Sequence, residues 1–503
     1  MWYGYSNFRT LVTLDGLVRL KLKIRQCRDA ECPRHRRPYR PEAEGARALP
    51  HHEFGLDIIA LIGTLRYVQH QSVPEMHRTL QARGVDIAAR SVTHLLERYD
   101  ELLALSLSDT DRLREITARE GRVVLALDGL QPDVGHEVLW VLRDCLSGEV
   151  LLARSLLSAT AKDLGALLRS VADVLPVPIV GVVSDGQISI RRAVERALPG
   201  VPHQLCQFHY LREAALPVYE ADRHAKKELK KRVRGIRVLE REVEPRSDAE
   251  AEVVRGYCAA VRSALADDGP PPLCASGLQL HERLSEVRDS LERVEKRGPL
   301  PKPLAKLKTL LCKGLGQTHD LWPDVRVAFA WVHAAARILN NEEKLGAPEV
   351  QRRLQALLDA MARDRNEAGE LAPAIARFLK VSRSYWPGLF HCYSVAGVPR
   401  TNNDLEQFFG SSRHHERRAT GRKRASQGLV LRGSVRLVAG AATRLRKRSA
   451  AELQPRDPAR WMQLRQQLEA RRHVRRRGLR FRRDPKAYLT SLEDQAAKLA
   501  LPS

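Results

Sequence analysis

The sequence predicts a mixed α/β core of order β-β-β-α-β-α-β, interrupted by a large α-helical block and preceded by a module of helix-turn-helix type. Three observations lead there. Five short apolar runs lie between Gly121 and Leu211. The first three are joined by turns and the later ones alternate with helix-periodic stretches, as parallel strands require. From about Arg212 to Pro387 the chain is helix-rich, with proline-rich breaks. Before Gly121, three helix-periodic pieces are spaced as in a helix-turn-helix.

Residues 1–52 contain TLVTLDGLVRLKLKI, whose alternation around Asp15-Gly16 reads as a β-hairpin. Cys27, Cys32 and His35 follow at a Cys-x4-Cys-x2-His spacing. A hairpin beside that spacing resembles part of a zinc ribbon, yet a structural zinc takes four ligands. His51 or His52 would supply the remainder; the alternative is a loop without metal. Residues 53–118 hold FGLDIIALIGTLRYVQ, SVPEMHRTLQARG and AARSVTHLLERYDELLAL. Ser72 with Pro74 and Glu75 marks a helix start, and Arg83-Gly84 a stop. Arg90, Ser91 and Thr93 then stand near the start of the third helix, where a recognition helix meets DNA. An ordinary helical bundle is the alternative.

In residues 119–212, VVLALDGL, HEVLWVLRDC and EVLLARSLL read as a three-strand meander with a turn at Ser147-Gly148. KDLGALLRSVADVL reads as a helix, PIVGVVSD as the fourth strand, SIRRAVERAL as a helix and PHQLCQFHYL as the fifth strand. Residues 213–395 form the helical block, broken at PRSDAE, DDGPPPL and GPLPKPL. Helical spacing assigns its Trp322, Trp331 and Trp386 to packing, with stacking on an extruded base as the alternative. Residues 396–450 complete the core with GVPRTNNDLEQFFGSSRHHERRATGRKRAS. Residues 451–503 form a basic tail containing RRHVRRRGLRFRRDP.

Asp128 closes the first apolar run and Asp185 the fourth. Each precedes a glycine, and singly each reads as a turn former. In this strand order, however, the two strands are neighbours, and open α/β sheets place their chemistry at strand ends. Two carboxylates in one crevice repel unless a divalent cation stands between them. A third acid would complete a two-metal site. Glu406 is the candidate, on the first turn of a helix that Asn402-Asn403 would cap. Asp404 and Glu416 are its nearest competitors.

The three acids in this sheet order resemble a transposase of the RNase H-like, Asp-Asp-Glu superfamily. Cys206-x-x-His209, after the second Asp, resembles a motif of Mutator-like and related bacterial insertion-sequence transposases. Those families carry a large helical insertion between the second Asp and the Glu. Here that interval is about 220 residues, far beyond an ordinary loop. The resemblance covers roughly Gly121 to Arg424. It implies that Asp128, Asp185 and Glu406 are catalytic and hold two Mg²⁺ or Mn²⁺ ions. It implies cleavage at element ends and strand transfer into target DNA, by a homo-oligomer on double-stranded DNA. Cys206 and His209 lack two ligands for a zinc site and read equally as packing or hydrogen bonding beneath the active site.

Charge points the same way. Lys and Arg number 85 against 60 Asp and Glu, a net charge of +25, which makes a polyanion the leading partner. Arg413, Arg417, Arg418, Arg422, Lys423 and Arg424 cluster after Glu406. They would bind DNA phosphates, or else form a solvated basic face. No apolar segment approaches the ~20 residues that span a bilayer, and MWYGYSNFRTLVTLDG has no signal-peptide core. The expectation is a cytoplasmic, nucleoid-associated protein without a membrane partner. The eight scattered cysteines form no evident disulfide framework. Two other functions share parts of this pattern. An RNase H-like nuclease would need the acids but not the N-terminal module. A catalytically inactive or domesticated DNA-binding protein would not need acids at all three positions.

Overall fold

A computed structural model describes residues 2–131, 137–422 and 427–500. These residues form eight strands and nineteen α-helices. The chain divides into two compact units: unit one is Met1–Val180, Ile188–Val201 and Asn403–Ser503, and unit two is Gly181–Gln187 and Pro202–Asn402.

Unit one opens with β1 (Trp2–Thr13), β2 (Gly16–Gln26) and β3 (Pro38–Tyr39), an antiparallel three-stranded sheet. The hairpin turns where Thr13 pairs with Gly16, whose φ of +108° suits glycine. The period of two is real: Leu22 and Ile24 are buried while Lys21, Lys23 and Arg25 are exposed. Four helices follow: α1 (Leu56–Tyr67), α2 (Val73–Ala82), α3 (Ala89–Leu107) and α4 (Thr110–Glu120). Ser72 and Glu75 close a capping box on α2. α4 was not read from the sequence, although both its signals are there. The Asp109 side chain caps it by accepting from the Arg112 N–H, and Gly121 ends it in the left-handed region.

The five-stranded sheet contains β4 (Val123–Leu130), β5 (Val138–Asp144) and β6 (Val150–Leu156), then β7 (Ile179–Ser184) and β8 (His203–Leu205). α5 (Ala161–Ala172) precedes β7 and α6 (Ile188–Ala197) follows it. The sheet order is β6-β5-β4-β7-β8, with β4, β5 and β6 antiparallel and β7 and β8 parallel. The predicted order β-β-β-α-β-α-β is the observed one. β4 is buried from Val123 to Leu127, as a central strand covered on both faces must be.

The fifth strand is shorter than predicted. PHQLCQFHYL is strand only at His203–Leu205; Cys206 is the N-cap of α7 (Gln207–Ala214). Gln207, Tyr210, Leu211 and Ala214 are buried at i, i+3, i+4 and i+7, so the helical period wins over the apolar run. The rest of unit two is α8 (Leu216–Arg232), α9 (Ile236–Val243), α10 (Ala249–Ala266), α11 (Ser276–Glu295), α12 (Lys302–Gly316), α13 (Trp322–Asn340), α14 (Ala347–Arg363) and α15 (Ala372–Tyr385). All three predicted proline-rich breaks fall between these helices. Tyr210, Leu229, Leu284, Phe329, Leu354 and Phe378 lie in one core. The buried Asp222 carboxylate accepts from Gly277 N (2.8 Å) and Leu278 N (2.9 Å), satisfying donors at the start of α11. Trp322 is buried and Trp386 sits edge-on to Phe390, so both serve packing.

The chain then returns to unit one through α16 (Asn403–Thr420), α17 (Gln427–Leu445), α18 (Pro458–Arg483) and α19 (Pro485–Ala500). The basic tail is thus two helices. Trp461 and Leu453 join the core of α1, α2 and α3.

Candidate functional site

Within unit one, Asp128 is half-buried in β4, opposite Val141 of β5. Its Oδ1 accepts from Gly129 N at 2.7 Å. Gly129 is confined: a Cβ there would lie 2.9 Å from Val138 Cγ1 and 3.2 Å from the Trp140 ring. α16 packs against β4. Leu405, Phe409, Ser412, His415, Glu416 and Ala419 form its buried face, and the Arg143 guanidinium lies 5.8 Å from the Phe408 ring. Glu406 stands half-buried on the first turn. Asp128 and Glu406 are therefore on two elements in contact. Beside α16 runs a cleft of about 530 Å³ lined by Arg112, Arg143, Asp404, Phe408, Arg444 and Arg448.

Within unit two, Asp185 follows β7 and is half-buried. Its Oδ1 accepts from Gln187 N at 3.0 Å, and Gly186 turns the chain at a φ of +84°. The Tyr385 hydroxyl donates to the Asp185 carbonyl (3.2 Å) and lies 3.0 Å from Glu213 Oε2. Ser184 Oγ pairs with His203 Nε2 at 2.9 Å. The turn that presents Asp185 is thus fixed on both sides. The Cys206 thiol is fully buried, and Asn402 N donates to its Sγ at 3.4 Å. His209, on the first turn of α7, is edge-on to Phe208. Asn402 does not cap α16 with its side chain. With its backbone tied to Cys206, its side-chain oxygen and nitrogen are buried without a hydrogen bond among the described residues.

Cys27, Cys32 and His35 share one tight loop. Arg36 N donates to Cys27 O (2.9 Å), His35 N donates to Cys32 O (2.8 Å), and His35 Nδ1 bonds Asp29 O (2.7 Å). The eight cysteines are free. Among the described residues no group of three or more His, Cys, Asp and Glu side chains stands close enough to hold a metal.

At the start of α3, Arg90 and Thr93 are exposed and Ser91 is half-buried. Arg413, Arg417 and Arg418 line the exposed face of α16, and Arg422 is exposed just beyond it. Lys423 and Arg424 lie outside the described residues. No helix among the described residues is long and apolar enough to cross a membrane.

A buried charge cluster in unit one was not read from the sequence. Glu101 is fully buried on α3. It accepts from Arg432 of α17 (2.8 Å) and Trp461 of α18 (3.0 Å), and pairs with Arg98 (3.2 Å). Glu416 of α16 pairs with Arg436 (3.1 Å) and Arg66 (3.6 Å). The Arg66 guanidinium also donates to Ala419 O at 3.1 Å. Tyr67 donates to Asp100 at 2.5 Å, and burial pushes the Asp100 carboxyl up to about 6 despite the nearby arginines. His415 pairs with His70 (Nδ1 to Nδ1, 2.7 Å); burial, then Arg66 and Arg444, push it down to about 2. The helix that bears Glu406 is thus gripped at its far end by α1 and α17. The available signal was Glu97-Arg98-Tyr99-Asp100-Glu101 between Leu95-Leu96 and Leu102-Leu103 of one helix.

No protein-family model matches the chain, and no curated protein matches it.

Proposed function

We propose that the chain is an insertion-sequence transposase that cleaves DNA at element ends and joins them to target DNA by metal-dependent phosphoryl transfer. In this reading the five-stranded sheet and α16 form an RNase H-like core, unit two's helices are its insertion, and α1–α3 are a helix-turn-helix module. One observation carries the reading. Asp128 and Glu406, about 280 residues apart in sequence, stand on packed elements, β4 and α16. Asp185, just after β7, is the remaining acid.

Three carboxylates are hard oxygen donors suited to Mg²⁺ or Mn²⁺, which when bound would activate the attacking oxygen and stabilise the leaving 3′-oxygen. Asp128, Asp185 and Glu406 would hold those ions; among the described residues they do not form a ready-made three-ligand group. Arg413, Arg417, Arg418 and Arg422 would position the DNA phosphates, and Arg90, Ser91 and Thr93 would contact the recognised end. The protein would act on double-stranded DNA as a homo-oligomer in the nucleoid.

The test uses the full chain and a duplex carrying the inverted repeats that flank its own coding sequence. Mg²⁺-dependent cleavage leaving 3′-hydroxyl ends is expected. Asp128→Asn, Asp185→Asn and Glu406→Gln should each abolish it while duplex binding persists. Metal-independent cleavage, or variants that cut like the parent, would refute the reading. Binding without cleavage would leave only a DNA-binding protein.

A further inference from the structure

α18 is anchored at its start and bare at its end. Trp461 and Leu468 are buried, and Arg471 and Arg472 pair with Glu137 and Glu97. From residue 473 to residue 499 no residue is buried. Among the described residues the guanidinium groups of Arg476, Arg477, Arg480, Arg482 and Arg483 enter no ion pair and no side-chain hydrogen bond. Like charges at helical i, i+3 and i+4 spacing repel, so this segment carries a cost that burial does not offset. Five arginines in eight residues span roughly 12 Å of helix. Duplex DNA carries one phosphate charge per about 1.7 Å of axis, so over that length it can neutralise all of them. Between α18 and α19 lies a cleft of about 580 Å³, lined by Arg477, Arg480 and Arg483 with Tyr488, Ser491 and Gln495. Planar guanidiniums beside hydroxyl and amide donors suit phosphate oxygens.

We propose that the α18–α19 hairpin is a separate duplex-DNA grip, which holds the phosphate backbone through Arg476, Arg477, Arg480, Arg482 and Arg483. The proposal rests on the reading of this chain as DNA-acting.

The experiment compares the full chain with a variant in which those five arginines become glutamine, and with a second in which they become lysine. Glutamine keeps helix propensity; lysine keeps charge and controls for folding. Binding of a labelled duplex of unrelated sequence is followed by anisotropy across a salt series without divalent metal. Each phosphate contact contributes about 0.9 to the slope of log affinity against log salt. The glutamine variant should lose about 3 to 5 from that slope and bind at least about tenfold more weakly at low salt. The lysine variant should stay within about one of the parent. An unchanged slope in the glutamine variant overturns the proposal. So does an unchanged slope accompanied by lost binding to anionic lipid vesicles, or by an altered oligomeric state, since the hairpin would then serve a membrane or a second copy. The readout needs no cleavage. A reduced slope in a chain that cuts nothing keeps the grip and removes the transposase; cleavage with an unchanged slope does the reverse.

Discussion

Glu101→Gln should destabilise unit one by about 3 to 5 kcal/mol, the usual cost of removing one partner from a buried charge pair. Glu101 is fully buried, accepts from Arg432 and Trp461, and is also paired with Arg98. At about 3 Å and an effective dielectric near 20, each charge contact is worth roughly 5 kcal/mol before desolvation. Glutamine keeps the shape and one acceptor oxygen but removes the charge and points an amide at a guanidinium. Glu97 is the remaining counter-charge, 3.6 Å from Arg98 and 4.0 Å from Arg432, and it is already shared with Arg472. It is too distant to replace Glu101. Urea unfolding followed by tryptophan fluorescence measures the loss, and Trp461 reports locally because its indole N–H loses part of its acceptor. Glu101→Gln combined with Arg432→Met should recover part of the stability, because two unpaired charges are then reduced to one. A loss below about 1 kcal/mol in the single variant, with no recovery in the double, would refute the view that this cluster holds α3, α17 and α18 together.

Three further outcomes follow from the packing. The Asp100 carboxyl is raised to about 6 in the folded protein, against an ordinary value near 4, so the folded state holds the extra proton between those values and stability falls as pH rises through that window. Asp100→Asn keeps an acceptor for Tyr67 and should gain about 3 kcal/mol relative to the parent between pH 4 and 7; parallel stability curves would contradict this. At Gly63 on α1, an added Cβ would lie 2.1 Å from the ring of Tyr99, whose hydroxyl is tied to Thr443 at 2.6 Å. Gly63→Ala should therefore lower stability by about 1 to 3 kcal/mol through overpacking, despite the ~1 kcal/mol that alanine gains in helix propensity; a raised midpoint would show that Tyr99 yields. In unit two, Asp222→Ala removes both acceptors from Gly277 N and Leu278 N and should cost about 2 kcal/mol, measured as a lower urea midpoint, with no loss expected if water reaches α11.

The sheet was legible because its strands are apolar runs of strand length, and Val123–Leu127 and Val182–Ser184 are buried as such runs must be. The stretch around Cys206 was misread for a physical reason: QLCQFHYL is apolar enough for either period, and only the burial of Gln207, Tyr210, Leu211 and Ala214 on one face decides for helix. Asp128 was expected to close its strand, but β4 continues to Leu130; the places of Asp185 just after a strand and of Glu406 on a helix start were legible. That β4 and α16 touch across about 280 residues was not, since no local pattern encodes it.

Arginine is the clearest case of what sequence leaves open. A net charge of +25 invites every arginine to be read as a phosphate ligand. Arg66, Arg98 and Arg432 are buried, and Arg436, Arg471 and Arg472 are also held by acids. Those six give no counterion release, because Glu97, Glu101, Glu137 and Glu416 already occupy them. The acids that claim Arg432, Arg471 and Arg472 lie more than 300 residues away in sequence, so composition cannot separate the two kinds. Among the outward basic residues, Arg413, Arg417 and Arg418 stand on one face of α16 and Arg476 to Arg483 along the end of α18, while Lys21, Lys23, Arg25 and Arg90 are exposed elsewhere. Neutralising either tract should then lower the salt dependence of binding by its own share.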